Sequence, residues 1–270
     1  MNTARLQKRY GPWAVITGSS DGIGKAFAKQ LAAAKLNVVL IARRAAVLEQ
    51  VAEDLRKEYS VDVRVVGADL SKAEGLLAVD EQTRDLDVGL FVASAGFGTS
   101  GPVLQADLDV EHEMLEVNCF ALLHGCVVFG NRLRQRRAPG GLILMSSLVG
   151  WQGTPLSANY AATKAYVQSL AESLRIELKP AGIDVLASAP GPVHSGFAAR
   201  ADMVMSAAVT PEAVAKATLA ALGRRATVIP GALSKVLTWS LLPLPRAIRA
   251  QIMGKVMGGM TKHQQPQAAK

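Results

Sequence analysis

Along most of the chain, short unbroken apolar runs alternate with longer stretches in which apolar residues recur every three to four positions. An unbroken run predicts a strand buried on both faces, and the longer period predicts a helix with one buried stripe. Trp13 to Thr17 predicts a strand and Lys25 to Ala34 a helix. "NVVLIARR" predicts a strand closing at Ala42, with a helix over Ala45 to Tyr59. Val63 to Gly67 is the next strand, followed by a helix around Leu76 to Arg84, then strand and turn in "VGLFVASAG". One long helix is predicted from "LDVEHEMLEVN" through "NRLRQRR". "GLILMSS" is a strand, Ser157 to Lys179 a helix, and "GIDVLASAPG" a strand with a Pro-Gly exit. Thr210 is placed as the N-cap of a helix that opens with Pro211 and carries Glu212 in its first turn. "ATVIPG" gives a last short strand. Repeated βα units of this length predict an α/β fold: a doubly wound parallel sheet flanked by helices, in a single domain.

In such a sheet, ligands gather at the C-terminal strand ends, where Gly18, Arg43, Asp69, Gly96, Ser147 and Pro190 all fall. "TGSSDGIG" sits between the first strand and first helix, with Gly18, Gly22 and Gly24 spaced G-x-x-x-G-x-G. Glycine allows a tight turn and close backbone approach, and the helix start offers free N–H groups to a pyrophosphate. At the second strand end an acidic residue would hold ribose hydroxyls, but this chain has Arg43 and Arg44. A guanidinium fork matches a phosphate, which favours NADP(H) over NAD. Two solvated arginines would be the alternative, though cations at a helix start oppose its dipole. Asp69 and Leu70 fall where an adenine ring would lie.

Tyr160 and Lys164 stand four apart in "YAATK" and share one helix face; Ser147 ends the preceding strand. A fixed ammonium favours phenolate, so Lys164 is expected to pull the Tyr160 pKa from about 10 towards neutrality. Such a phenol gives a proton to a carbonyl or takes one from an alcohol, while Ser147 holds the oxygen. The pair alone is a weak signal, since an amphipathic helix with a half-buried tyrosine and a solvated lysine has the same spacing.

Composition narrows the class. Of 270 residues half are hydrophobic and 19% charged, a globular balance with room for one large core. Cys119 and Cys126 read as small buried thiols, which fits a reducing, cytoplasmic compartment. The four histidines show no metal-ligand spacing, so no metal is expected. "MNTARLQKRYGPW" lacks the apolar segment of a secretory signal, and no run is expected to reach bilayer-spanning length. The net charge of +8 raises nucleic acid as a partner, but the arginines at 132, 134, 136 and 137 suit a solvated helix end, and no interleaved aromatics suggest base stacking. Nucleic acid is therefore not expected.

Together these motifs resemble the short-chain dehydrogenase/reductase family, in its classical branch, over roughly residues 12 to 230. "TGSSDGIG", Asp69, Asn118, Ser147, "YAATK" and "PGPVHS" occur in the family's order. The opening "YGPWAVITGSSDGIGKAFAKQLA" looks most like 3-oxoacyl-CoA reductases and 17β-hydroxysteroid dehydrogenases. The resemblance implies a Rossmann-type fold and NADP(H). It implies a tetrad in which Tyr160 is the acid/base and Lys164 tunes it and holds ribose. Ser147 would orient the carbonyl, and Asn118 would anchor a proton-relaying water. It further implies cofactor contacts from Gly18, Ser19, Ser20, Gly22, Ile23, Gly24, Arg43, Arg44, Asp69, Leu70, Ala95, Gly96, Asn118, Tyr160 and Lys164. Pro190, Gly191 and Val193 would flank the nicotinamide, with Ser195 in place of the family's threonine. Two departures stand: that serine, and Ala93-Ser94-Ala95-Gly96 where Asn-Asn-Ala-Gly is common, which puts side-chain support near the adenosine half in doubt. A homodimer or homotetramer is implied by the family alone.

Segment 195–209, rich in Phe197, Met203, Val204 and Met205, is expected to cover a small hydrophobic carbonyl substrate, fatty-acyl or steroid-like; a loop packed on its own core is the alternative. The catalytic domain is assigned to 1–232, an amphipathic helical extension to 233–262 and a disordered tail to 263–270. In the extension Ile248, Ile252 and Val256 form one stripe, with Arg246, Arg249 and Lys255 largely off it. It is placed against the chain's own domain or a partner subunit in preference to an anionic membrane surface. The leading function is NADPH-dependent ketone reduction. Oxidation of an alcohol and a non-catalytic NADPH sensor are the rivals, the second disfavoured because Asn118, Ser147, Tyr160 and Lys164 are all present.

Overall fold

The computed structural model describes residues 3–136, 138–205 and 208–264. Its first element is one the apolar pattern does not announce, helix α1 (Thr3–Tyr10). Only Leu6 and Tyr10 are buried on it, too few positions to show a period. Asp184 holds it in place. One carboxylate oxygen accepts from the Tyr10 hydroxyl and from Arg9 Nε, both at 2.7 Å.

The chain then alternates. β1 (Trp13–Thr17), α2 (Gly22–Ala33), β2 (Asn37–Ala42), α3 (Ala45–Tyr59), β3 (Val63–Gly67) and α4 (Ala73–Gln82) form the first half. β4 (Val88–Ala93) leads to α5 (Leu108–Leu115), a π-helical turn (Glu116–Phe120) and α6 (Ala121–Arg136). β5 (Gly140–Met145), α7 (Ala158–Glu177), β6 (Ile183–Ser188), α8 (Phe197–Arg200), α9 (Pro211–Ala221) and β7 (Thr227–Val228) follow, and α10 (Ala232–Leu241) and α11 (Arg246–Met260) close the chain. Thr210 caps α9, its hydroxyl accepting from the Ala213 N–H at 3.2 Å.

The strands make one parallel sheet in the order β3-β2-β1-β4-β5-β6-β7. Alternate strand residues feed two cores, which is why the strands are apolar throughout. Ala14 and Ile16 pack with α2, α3 and α9, whereas Val15 packs with α4, α6 and α7. The strand order reverses between β1 and β4, and a crevice opens above their C-terminal ends.

Five expectations are corrected. The long helix is interrupted at Asn118 by the π turn, a feature common at functional sites. Its 29 residues, Leu108–Arg136, do reach bilayer-spanning length and hydropathy, but Leu122, Cys126, Phe129 and Leu133 press it onto the sheet. Its arginines are not all solvated. Arg132 donates to the carbonyls of Thr83 and Asp80, and Arg136 pairs with Asp87 and donates to the Gly11 carbonyl; Arg137 lies outside the described residues. On α11 the buried positions are Met253 and Met257, beside Ile252 and Val256, while Ile248 turns outward. Of the expected disordered tail, 265–270 lies outside the described residues, but His263 and Gln264 form a turn bonded to Asp202 and Ser100.

Candidate active site

One cavity of about 750 Å³ runs from the β2 end to α10 and α11. Its centre is the glycine turn. Gly18 has φ +69°, and a Cβ there would lie 2.8 Å from Ala95 Cα; one on Gly24 would lie 2.2 Å from the Gly18 carbonyl oxygen. Only glycine fits either place. Ser20, Gly22, Ile23 and Gly24 line the cavity where α2 begins, so the free N–H groups of a helix start face it. Ser19 is different: its side chain is buried and its hydroxyl donates to the Ile41 carbonyl at 3.4 Å, behind the wall. Thr17 is a residue the sequence argument missed. Its Oγ1 accepts from the N–H groups of Ser94 and Ala95 at 3.0 and 2.9 Å. That supplies the support the Ala93–Gly96 departure left in doubt, and presents Ala95 and Gly96 to the cavity.

At the outer end Arg43, Arg44, Asp69 and Leu70 line the wall. Burial works against the Asp69 charge, but two bonds from Ser71, with Arg43 and Lys72 nearby, hold its carboxyl below the usual range. Arg43 already has a partner: its Nη1 donates to Glu113 Oε1 at 3.0 Å. Sequence reasoning missed Glu113 because it is one more polar residue on an amphipathic helix.

At the inner end Ser147, Tyr160 and Lys164 meet as the spacing implied, on one wall of the cavity. Ser147 follows β5 directly, and Ser146 beside it donates to the Lys164 carbonyl at 2.9 Å, tying α7 to the strand end. The electrostatics differ from expectation. Burial pushes the Tyr160 phenol up to about 12; only its hydrogen bond with Ser147 acts downward. Lys164 does not reverse this. Its ammonium is 5.7 Å from the Tyr160 ring centre and donates to the Met145 carbonyl at 2.9 Å. Burial lowers Lys164 itself to about 8. Desolvation disfavours both charged forms and outweighs the attraction between them.

Asn118 stands behind the wall. Its amide accepts from the Phe97 N–H at 3.1 Å and donates to the Phe97 carbonyl at 2.8 Å and to Thr163 Oγ1 at 3.1 Å. It braces the loop after β4 against α7. Phe197, expected as part of an apolar cover, tilts onto Tyr160 with ring centres 5.2 Å apart. The contact depends on Gly98, missed from sequence, where a Cβ would be 2.7 Å from the Phe197 ring.

Pro190, Gly191, Val193 and Ser195 form the remaining wall. A Cβ on Gly191 would come 2.4 Å from Ser234 Oγ, so glycine lets α10 sit over the Pro-Gly exit. Segment 195–205 then crosses the cavity. Met203 packs with Met257 of α11, and the Val204 N–H donates to the Met260 carbonyl at 2.9 Å. Of the placements open for the extension, closure over the cavity of its own domain is the one seen for the inner faces of α10 and α11.

A helix start beside crowded glycines, an arginine pair at the next strand end and an apolar inner chamber bearing a phenol fit a dinucleotide phosphate laid along the crevice. They define a nicotinamide-dependent oxidoreductase. The chain belongs to the short-chain dehydrogenase family, whose model matches residues 12–204. It is 34% identical over 230 residues to a very-long-chain 3-oxoacyl-CoA reductase-like protein of Arabidopsis thaliana, covering 82% of this chain and 73% of the relative. It is 28% identical over 243 residues to a 7beta-hydroxysteroid dehydrogenase of Mediterraneibacter gnavus, covering 85% and 90%. A solved 7beta-hydroxysteroid dehydrogenase superposes with a TM-score of 0.85 at 26% identity, over 92% of this chain and 98% of that one. A short-chain dehydrogenase from Sphingobium yanoikuyae in complex with NADPH gives 0.78 at 27%, over 96% and 98%. The cofactor of this oxidoreductase is NADP(H).

Proposed function

We propose that the protein reduces a hydrophobic ketone, fatty-acyl or steroid-like, to the secondary alcohol with NADPH. The observation that carries this reading is a phenol facing an apolar chamber. Tyr160 lies beside Ser147, and Met203, Met205, Leu241, Ile252 and Met253 line the same cavity. Methionine and branched side chains suit a long or bulky apolar ligand of variable shape. The named relatives act on 3-oxoacyl-CoA and steroid substrates by their names, which agrees with that chemistry and with a place in lipid metabolism.

When bound, NADPH supplies the hydride. Tyr160 gives its proton to the carbonyl oxygen as negative charge develops there, and the Ser147 hydroxyl donates to that same oxygen and fixes it. Lys164, protonated below about pH 8, offsets the charge left on Tyr160. A proton-relay role for Asn118 falls to its main-chain carbonyl in the π turn, because the amide is committed to Phe97 and Thr163. Reduction uses the phenol as an acid, and burial, which pushes Tyr160 up to about 12, favours that form at neutral pH; the net direction is set by the cofactor and substrate ratios.

The test is NADPH oxidation against ketones of rising chain length, repeated with NADH and with Tyr160→Phe. Turnover that rises with chain length and is lost in the variant supports the reading. Activity confined to small polar ketones, or none despite tight NADPH binding, overturns it; the second result favours a sensor.

Two surfaces extend the proposal. Leu115, Phe120 and Val127 on α5–α6 and Tyr166 and Ile176 on α7 are exposed apolar residues on which a second copy packs, giving a homodimer or homotetramer in a reducing, cytoplasmic setting. On α10 Leu233, Val236 and Trp239 are exposed too, as is Leu242 directly after it. Residues 232–264 hold Lys235, Arg246, Arg249, Lys255 and Lys262 and no acidic residue, so this face suits an anionic lipid surface.

A further inference from the structure

Segment 195–205 touches both ends of the crevice. Near its start the Gly196 N–H donates to Asp21 Oδ2 in the glycine turn at 3.2 Å, and Phe197 lies on Tyr160. Three residues on, the Arg200 guanidinium is 3.5 Å from the ring centre of buried Phe97. Its Nη2 donates to Glu113 Oε1 at 3.3 Å. That is the oxygen that accepts from Arg43 Nη1 at 3.0 Å. One carboxylate oxygen is therefore divided between an arginine at the β2 end and an arginine of the segment that covers the reacting phenol.

We propose that Glu113 and Arg200 are positioning residues that couple the cofactor's ribose phosphate to closure of segment 195–205. The inference rests on the reading of Arg43 as the phosphate-binding residue. A phosphate dianion competes with Glu113 for Arg43, and its charge repels the carboxylate. Glu113 then turns wholly to Arg200, and the segment is held harder against Phe97 and Tyr160. NADH carries a hydroxyl at that position, which cannot displace a carboxylate from a guanidinium. With NADH the oxygen stays divided and the cover is held less tightly. Preference for NADPH thus shows in the order of the substrate cover as well as in cofactor affinity, as linkage between two sites requires.

The test is amide hydrogen exchange in peptides spanning 195–205, with the protein saturated by NADPH and then by NADH. Dissociation constants come from nicotinamide fluorescence. In wild type, NADPH is expected to slow exchange by about threefold or more beyond NADH. Arg200→Met and Glu113→Gln should each abolish that difference while the NADPH dissociation constant stays within about threefold. Glu113→Asp, which keeps the charge, should retain part of it. Equal exchange with both cofactors in wild type, or a difference that survives in Arg200→Met, overturns the coupling. So does an Arg200→Met variant that loses NADPH by about tenfold and keeps NADH, since Arg200 would then bind the phosphate directly. Wild type that binds NADH as tightly as NADPH sinks the Arg43 reading itself, a result distinct from the others.

Discussion

Lys164 donates to the Met145 carbonyl at 2.9 Å from a site where it is only 5% exposed. The bond ties α7 to the end of β5, yet the charge is poorly solvated, and burial lowers its pKa from 10.5 to about 8. Linkage fixes the consequence. Below about pH 8 the folded protein carries a buried ammonium that the unfolded chain would solvate. Between about 8 and 10.5 the unfolded chain alone holds the proton, so stability rises with pH. Lys164→Met removes this burden and leaves one carbonyl unpaired. We expect it to be more stable than wild type by about 2 kcal/mol at neutral pH and to lose activity. Thermal unfolding at about pH 7 and about pH 9.5 checks this: the gap should narrow at the higher pH. A variant that melts below wild type at neutral pH would show the ammonium to be net stabilising.

Tyr160→Phe removes the proton donor and leaves the ring that meets Phe197. Reductive kcat is expected to fall by about 10²–10⁴-fold, with the NADPH dissociation constant nearly unchanged. In wild type the phenol stays protonated through the assay range, so the alkaline limb belongs to Lys164. The reductive rate should be level on the acid side and decline as pH rises through about 8. A decline centred near neutrality that disappears in Tyr160→Phe would mean the phenol itself titrates there.

How much of this was readable from sequence follows from what leaves a periodic trace. The strands and most helices did, because each buries several residues at a fixed spacing. Ser147, Tyr160 and Lys164 did as well, since their separation is set by one strand end and one helix face. Helix α1 did not, because two buried residues make no period. Glu113 and Arg200 are brought together across 87 positions by tertiary packing, and no local pattern marks either. The Tyr160 shift runs opposite to the expected direction for a related reason. Sequence shows which charge is near a group but not how deeply both are buried, and here burial is the larger effect. Ser19 sat in the right turn with its side chain on the wrong side of it.

Arg43 and Arg44, which we propose carry the cofactor preference, differ in their partners: Arg43 is ion-paired to Glu113, and Arg44 has no ion pair among the described residues. The double change Arg43→Ala with Arg44→Ala should raise KM for NADPH by about tenfold or more and leave KM for NADH within about twofold. Steady-state kinetics with both cofactors decide it. An equal rise for both would place the arginines on the pyrophosphate instead.

Gly98→Ala tests the cover at the reacting end. The new methyl would lie 2.7 Å from the Phe197 ring and 3.0 Å from that of Tyr160, so Phe197 must leave. Displacing it should raise KM for long-chain ketones by about tenfold and affect short ones less, since the lost contact lines the apolar chamber. Pairing the change with Phe197→Ala removes the clash. If Phe197→Ala alone reproduces the impairment and the double variant is no worse, the loss comes from Phe197; if Phe197→Ala alone is near wild type and the double variant stays impaired, the methyl obstructs Tyr160 directly.

Trp239 tests the outer face of α10. It is 63% exposed beside Val236 and Leu242, with Lys235 and Arg246 close in sequence and no acid in the two C-terminal helices. An apolar strip flanked by cations binds a lipid surface by insertion of its aromatic and by attraction to anionic headgroups. Sedimentation with vesicles of phosphatidylserine and phosphatidylcholine, against phosphatidylcholine alone, should capture the protein only on the anionic set and less so at high salt. Trp239→Glu should weaken capture by about tenfold without changing turnover of a soluble ketone. If Trp239→Glu instead halves the particle mass in light scattering and vesicles capture neither protein, the face is covered by a second copy of the chain.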